Sequence, residues 1–398
     1  MKDVNINKKV KALIKEIEES PEISMRMLFS EILNQFMNAE RESYLEGDLE
    51  NKGNGYYERG VQTGGMDLNV KVPRDREGEF RPQILPERWK RGDSEYRRLL
   101  LSLVKNGYSE NKIRSVLKEL NLSYDKREVK KIKEEFLTQV KEFKQRELGK
   151  EWFAIFIDAD ELEVKDDGRV KKAQVYVVIG IDLEGNKDLL AWRIYFGSEK
   201  KAWWIELFRD LVSRGLEGVS IIISDDFSGM REAIEEIFPE ANHQLCYVHL
   251  QRNVKHNLTR EDSQQFNKGL RRIKESSDYE EGCKKLEELC GEFKDKYPNY
   301  METLLGKKEN YLQFLKYPEK IRKFIYTTNI AESFNSLIEG VRYERGWHFQ
   351  STDILDISLL LVYKRLSSNV WKKTHPQMKA QQYQLNRIYR LQYSEEEL

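Results

Sequence analysis

The stretch Ser220–Gly229 reads SIIISDDFSG. Its β-branched apolar run reads as a strand buried on both faces, as in a sheet covered by helices on each side. One carboxylate at its end would suffice to cap a following helix. The adjacent pair Asp225-Asp226 calls for a positive partner at the strand end, and a bound cation is the obvious candidate.

Working outward from this strand, Trp152–Val164, Gln174–Ile181 and Leu189–Phe196 are apolar or alternating runs punctuated by Gly180 and Glu184-Gly185-Asn186. They predict three consecutive antiparallel strands. Lys200–Arg214 is an amphipathic helix with Trp203, Leu207 and Leu211, Gly229–Phe238 is helical, and Gln244–Val248 is a further short strand. The order predicts an α/β domain built on a mixed five-stranded sheet with flanking helices. From His249 to about Arg322 the pattern is polar and helical, an all-α insertion. Thr327-Thr328-Asn329 then caps a helix over Ile330–Arg342, and the remainder is mostly helical.

Upstream, Met25–Leu45 has one apolar helical stripe, and Gly53–Gly65 is a glycine-rich break. Leu68, Val70 and Val72 alternate, PRDREGE turns, and Phe80–Leu85 resumes: a short hairpin with a basic turn. Ser94–Lys150 reads as three helices. Asn106-Gly107 ends the first, Ser109 caps the second, and the third, Asp125–Gln145, carries Lys126, Arg127, Lys130, Lys131 and Lys133. That is the outline of a helix-turn-helix module, although many three-helix units bind nothing.

The chain balances 68 Lys+Arg against 68 Asp+Glu, but local balance differs. Asn51–Lys150 carries 24 Lys+Arg against 16 Asp+Glu, and Asp158–Glu240 carries 11 against 19. A basic part suited to a polyanion thus precedes an acidic part suited to cations; two solvated surfaces of opposite sign is the plainer alternative. Three cysteines in 398 residues argue against a disulfide framework and for a reducing compartment. Met1–Val10 has no signal-peptide core and no apolar run approaches a membrane span, so a cytoplasmic protein without membrane contact is expected.

Asp158 lies in FAIFIDADELEVK, where a charge beside Phe153, Ile155 and Ile157 needs a partner. If the first and fourth strands are neighbours, Asp158 and Asp225 face each other, and like charges that close need a cation. Mg²⁺, with Mn²⁺ as a substitute, suits oxygen ligands and leaves positions for water and phosphate. A third ligand is expected from Glu332 in IYTTNIAESFNSLIEG, with Asn335, Ser336 and Glu339 on the same helical face. Two metals so held would serve phosphoryl transfer. Taken singly, Glu332 is a helix-dipole residue, Asp225 a helix-start residue and Asp158 a partner for any lysine. Asp160 and Asp226 compete for the same roles; Asp158 is preferred because Asp160 is already passing into a charged stretch, and Asp225 because it is first off the strand. In CYVHLQRN, Cys246 and His249 are half of a possible zinc site, for which Cys283 and Cys290 could supply the rest, but the spacing matches no common class and a buried structural pair is preferred, with Arg252-Asn253 facing DNA or the active site. Trp203 and Trp347 could each stack on an unpaired base; packing in the core is preferred for both.

These pieces together resemble one family. VKVPRDREGEF, the DA-x5-K element Asp158–Lys165, SDDFSG, FPEANHQLCYVHLQRN, YPEKIRKFIYTTNIAESFNS and the pair Arg345-Gly346 occur in the order found in the Mutator-type bacterial insertion-sequence transposases, a branch of the DDE transposases. The resemblance implies an RNase H-like catalytic domain interrupted by a helical insertion, and a two-metal, Mg²⁺-dependent reaction without a covalent protein–DNA intermediate. It implies Asp158, Asp225 and Glu332 as the catalytic carboxylates, Cys246 and His249 as the C-x2-H element beside them, and terminal-inverted-repeat binding before Lys150. It also implies a homodimer acting on double-stranded DNA, both inverted repeats and target, in a prokaryotic nucleoid. Asp226, where an apolar or small residue is commoner, and Ala331, where Ile is frequent, depart from the pattern without removing a ligand. The expected division is 1–50 N-terminal helical region, 51–92 β-hairpin linker, 93–150 helix-turn-helix, 151–256 and 326–398 the two parts of the catalytic domain, and 257–325 the insertion. An RNase H-like nuclease without strand transfer, or a domesticated DNA-binding protein, are the alternatives.

Overall fold

The computed structural model describes residues 25–46, 51–63, 66–85, 94–105, 108, 110–120, 124–197, 200–344, 346–374 and 376–393. Met1–Val10, Asn106-Gly107, Ser109 and Arg345 lie outside these. The chain divides into two compact units, Met1–Glu135 and Phe136–Leu398.

The first unit begins with α1 (Met25–Glu46), then β1 (Gly53–Thr63) and β2 (Met66–Asp75). β1 and β2 pair antiparallel, with Tyr57 opposite Val72 and Val61 opposite Leu68. Met37 of α1 packs on Val61, Leu68, Val70 and Val72. The hairpin therefore lies one strand earlier than expected: Gly53–Thr63 is a strand, and Phe80–Leu85 is not. Alternation at Tyr57, Arg59 and Val61 outweighs the glycines of the same stretch. The PRDREGE segment is a loop closed on Asp75, whose carboxylate accepts from Asn51 Nδ2 at 2.8 Å and from the Phe80 amide at 3.2 Å. Helices α2 (Ser94–Lys105), α3 (Glu110–Glu119) and α4 (Lys126–Gln145) follow. Arg97 of α2 holds α4 through Glu128 and through Glu135 at 2.7 Å. Ile132 and Val129 are buried, whereas Lys126, Arg127, Lys130 and Lys131 are exposed.

The second unit is a mixed α/β structure. β3 (Glu151–Asp166), β4 (Arg169–Asp182), β5 (Lys187–Tyr195), β6 (Gly218–Ser224) and β7 (Asn242–Leu245) form a five-stranded sheet in the order β5-β4-β3-β6-β7. β3 pairs antiparallel with β4 and parallel with β6, with Ile157 opposite Ser224. Every residue of β6 is buried, as its apolar run requires. α5 (Lys201–Ser213) and α6 (Met230–Ile237) cover one face, where Trp204, Leu207, Phe208 and Ile234 meet Ile155, Ile157 and Ile222.

Strand alternation sends Asp158 and Asp160 to the opposite face from Ile155 and Ile157. β7 ends earlier than expected. The Cys246 amide donates to Ser224 O at 2.8 Å and the Tyr247 amide to Tyr326 O at 2.8 Å, so the chain turns and Tyr247–Asn257 is helix α7. A helical stretch follows: α8 (Arg260–Lys274), α9 (Tyr279–Phe293), α10 (Pro298–Gly306), α11 (Lys308–Leu312) and α12 (Glu319–Ile325). α13 (Asn329–Glu344), α14 (Thr352–Ser368), α15 (Pro376–Ala380) and α16 (Gln382–Tyr393) complete the unit. Among the described residues, no helix is long and apolar enough to cross a membrane.

Gly180 of β4, opposite Ile155, shows how tightly the sheet is covered. A Cβ there would stand 2.5 Å from the Trp152 ring and 2.9 Å from Leu190 Cδ1. Gly180→Ala is expected to destabilise the protein by about 1–3 kcal/mol through overpacking, read as a lower guanidinium unfolding midpoint.

Candidate active site

Register brings the first two carboxylates together. Ile157 and Ser224 are paired across parallel strands, so Asp158 and Asp225 are the next positions along neighbouring chains. Asp158 is 5 % exposed. Its Oδ2 accepts a 2.8 Å hydrogen bond from Asn335 Nδ2 on α13. Glu332 lies one turn earlier on α13; its amide donates to Thr328 O at 2.9 Å, which starts the helix. Glu332, Asn335 and Glu339 recur at helical spacing, and the last two meet Asp158 and Asp160 respectively.

α7 supplies the cations. His249 Nδ1 stands 2.5 Å from Asp225 Oδ1 and Nε2 stands 3.8 Å from Glu332 Oε1. The first contact is close but poorly aligned, and neither atom has a directed hydrogen bond. Arg252 Nη1 lies 2.8 Å from His249 Nε2 and donates to Glu332 Oε1 at 3.2 Å. Cys246, buried at the start of α7, accepts a 3.4 Å contact from Thr328 Oγ1. The structure thus gathers Asp158, Asp225, Glu332, Cys246, His249 and Arg252 around one point. Lys126, Arg127, Lys130 and Lys131 belong to the other unit.

The electrostatics reflect crowding. Burial first, then the charges of Asp225 and Glu332, push the Asp158 carboxyl up to about 7, against the pull of Asn335 and His249. Burial works against a charged His249, but the contacts with Asp225 and Cys246 outweigh it and push its pKa up to about 10. A guanidinium and an imidazole therefore sit among the carboxylates, with an Arg252 N–H directed at His249 Nε2 and His249 Nδ1 against Asp225.

The competitors are placed elsewhere. Asp226 turns away to an ion pair with Lys307, in a cavity of about 330 Å³ lined also by Arg231, His243 and Asn310. Asp160 shares a hydrogen bond with Glu339; burial and then the Glu339 charge push it up to about 6. Of the cysteines, all free, only Cys246 is in this cluster. Cys290 is buried on α9, which pushes its thiol up to about 12, and Cys283 lies against Tyr279. The four-ligand zinc set considered and set aside above is not assembled: Cys283 and Cys290 lie on α9, within the helical stretch, and only Cys246 stands with His249. The roles of Asn335 on Asp158 and of Arg252 on Glu332 were not legible; helical spacing placed Asn335 on the correct face but gave it no partner.

Among the described residues, Asp225, Cys246 and His249 bring ligand atoms within 4.8 Å of one another, a mixed set that could hold a cation. Asp158 and Glu332 stand beside it and offer further carboxylate oxygens, the hard donors that suit Mg²⁺.

Residues 1–372 match the family described as Transposase, Mutator family. The chain belongs to that family. It is 30% identical over 353 residues to the transposase for insertion sequence element ISRM3 of Rhizobium meliloti (strain 1021), covering 88% of this chain and 86% of that protein. It is 28% identical to the transposase for IS905 of Lactococcus lactis subsp. lactis (strain IL1403), over 80% of this chain and 81% of that one. The transposase for IS256 in transposon Tn4001 of Staphylococcus aureus is 26% identical, over 77% of this chain and 81% of that one. Among solved structures, the Drosophila P element transposase strand transfer complex is similar at a TM-score of 0.29 and 12% identity, over 71% of this chain and 83% of that one. Membership makes this chain a transposase of the Mutator family.

The strained protonation of Asp158 has a measurable consequence. Its folded-state pKa of about 7 lies above that of an unfolded carboxyl. The folded chain therefore keeps a proton that the unfolded chain has lost, and stability falls as pH rises from about 4 through about 7. Asp158→Asn, which keeps an acceptor for Asn335, is expected to stabilise the protein in EDTA by on the order of 1–4 kcal/mol at pH 8. The gain should vanish below about pH 4; denaturant melts across that range test both ends.

Proposed function

We propose that this transposase binds the terminal inverted repeats of its own insertion sequence, nicks the element end by hydrolysis, and joins the freed 3′-hydroxyl to a target phosphodiester. The observation that carries this reading is the convergence of Asp158 from the middle of β3, Asp225 from the end of β6 and Glu332 from the first turn of α13 around His249 and Arg252. Asp158, Asp225 and Glu332 would hold Mg²⁺, with Mn²⁺ as a substitute. When bound, the metal supplies Lewis-acid charge that activates a water or 3′-hydroxyl and stabilises the leaving oxygen.

The chain's own groups prepare that chemistry. Asn335 fixes the orientation of Asp158 through its amide hydrogen bond. His249 and Arg252 neutralise Asp225 and Glu332 in the unliganded chain. Arg252 is 53 % exposed and makes both of its contacts through Nη1, so Nε and Nη2 remain to meet a DNA phosphate. Cys246 fixes the start of α7, and with it the reach of His249.

The same reading assigns an RNase H-like catalytic domain to 151–256 and 326–398, with 257–325 as a helical insertion. It assigns 93–150 to a helix-turn-helix that holds inverted-repeat DNA through Lys126, Arg127, Lys130 and Lys131, with 51–92 as a linker. The reading takes the working form to be a homodimer, one site for each element end, acting on chromosomal DNA in a prokaryotic cytoplasm.

Two experiments test the proposal. Asp225→Asn should bind element-end duplex as the wild type does and lose nicking in Mg²⁺ and Mn²⁺; cleavage at the wild-type rate would refute the assignment. A pre-cut end with a free 3′-hydroxyl, offered with a second duplex, should be joined by the wild-type protein, which a nuclease without strand transfer cannot do. For the DNA-binding face, Lys130→Ala with Lys131→Ala should flatten the log–log salt dependence of binding by about one unit per lost phosphate contact. An unchanged slope would move that face off α4.

A further inference from the structure

Helix α13 carries Glu332 in its first turn and runs out, at Glu344, into a loop whose shape is unusual. Gly346 has φ +83° and Trp347 has φ +75°. A bulky residue in the left-handed region is an outlier that the surroundings must enforce. They do so from both sides. The Trp347 amide donates to Arg342 O at 3.0 Å. Phe349, fully buried, is clamped to β3: its amide donates to Glu163 O at 2.9 Å and its carbonyl accepts from the Lys165 amide at 2.8 Å. Arg342 is itself tied to Glu163 and, at 2.7 Å, to Glu339.

This backbone at Gly346 and Trp347 holds an indole out in water. Trp347 is 64 % exposed, which corrects the expectation that it packs in the core; Trp203, stacked on Tyr195 with centroids 4.3 Å apart, does pack as expected. Tyr343, 52 % exposed, meets Trp347 at 87° with centroids 4.6 Å apart, and the Arg342 guanidinium lies 5.4 Å from the Tyr343 ring. Among the described residues, Tyr343 is the aromatic contact of Trp347, and an edge-on neighbour cannot cover a ring on both sides. Strain that orders an exposed aromatic ring, instead of burying it, is a feature of a site prepared for a flat ligand.

We infer that Trp347, supported by Tyr343, is a stacking platform for an unpaired base of the DNA substrate. The proposal rests on the transposase reading for its ligand, and the location agrees with it. Twelve helical residues separate Glu332 from Glu344, about 18 Å of rise. Six strand residues separate Asp158 from Val164, which bridges Phe349, about 20 Å. Both routes place the platform about 20 Å from the carboxylates, or about six nucleotides along a duplex strand. Arg342 is engaged in ion pairs, so the platform reads bases and leaves phosphates to other groups.

The test uses the full chain in EDTA and two single-stranded probes of equal length and charge: a mixed-sequence DNA 20-mer and an all-abasic 20-mer. Trp347→Ala should weaken binding of the first by about 5- to 150-fold, the range for loss of one base–aromatic stack, and leave the second unchanged. Trp347→Phe should restore binding to within a few-fold. Equal affinity of Trp347→Ala and wild type for the base-bearing probe would overturn the inference, as would an equal loss on both probes. So would a dimer that falls apart on Trp347→Ala in sedimentation, which would assign the ring to a second copy. The nicking assay on Asp225→Asn does not involve Trp347, so failure of the catalytic assignment and failure of the platform are separately visible.

Discussion

The second unit is organised around the repulsion of carboxylates that the fold forces together. Parallel pairing of β3 with β6 leaves no freedom in where Asp158 and Asp225 emerge, because a one-residue slip would turn Asp158 into the apolar layer formed by Ile155 and Ile157. Burial then deprives Asp158 of water, and the charge of Asp225 adds to the penalty. A fold optimised for stability alone would not place a carboxyl there. The arrangement makes sense when a cation completes it, and His249 and Arg252 supply part of the missing charge in the chain by itself.

α13 converts that local problem into a larger device. Its face toward β3 reads Glu332, Asn335, Glu339 and Arg342, and these meet the cluster, Asp158, Asp160 and Glu163 in turn. A single helix thus sets the distance between the carboxylates at one end and the Trp347 loop at the other. Sites built on helices and strands hold geometry better than sites built on loops. Beyond the helix, Phe349 is tied to β3 by its bridge to Val164.

Much of this was legible because burial leaves strong periodic signals. The all-apolar β6, the alternation of β3 and the spacing of Glu332, Asn335 and Glu339 each follow from which side chains must leave water. Elements failed where two local signals competed. In Gly53–Thr63 the glycines masked a strand whose alternating face at Tyr57 and Val61 packs on α1. At Cys246–Val248 a β-branched residue suggested a longer strand, yet the backbone bonds to Ser224 and Tyr326 end β7 and start α7. What spacing could not reveal was partnership across long separations. Asn335 and Asp158 are 177 residues apart, and Arg252 and Glu332 are 80 apart. Nor could it show the exposure of Trp347, because hydrophobicity alone favours the core and only the strained backbone explains the exception.

The donor chemistry bears on which cation the cluster prefers. Asp225 is common to an all-oxygen set with Asp158 and Glu332 and to a mixed set with Cys246 and His249. The mixed set is compromised from within. Cys246 is buried and in contact with Thr328, and both ring nitrogens of His249 are engaged, Nδ1 with Asp225 and Nε2 with Arg252. A soft metal on the mixed set would have to take His249 away from those contacts. A hard ion on the oxygens would have to displace His249 from Asp225 and Arg252 from Glu332. Either way Asp225 is the shared ligand, and the contact it now makes with His249 is the one that any cation must replace.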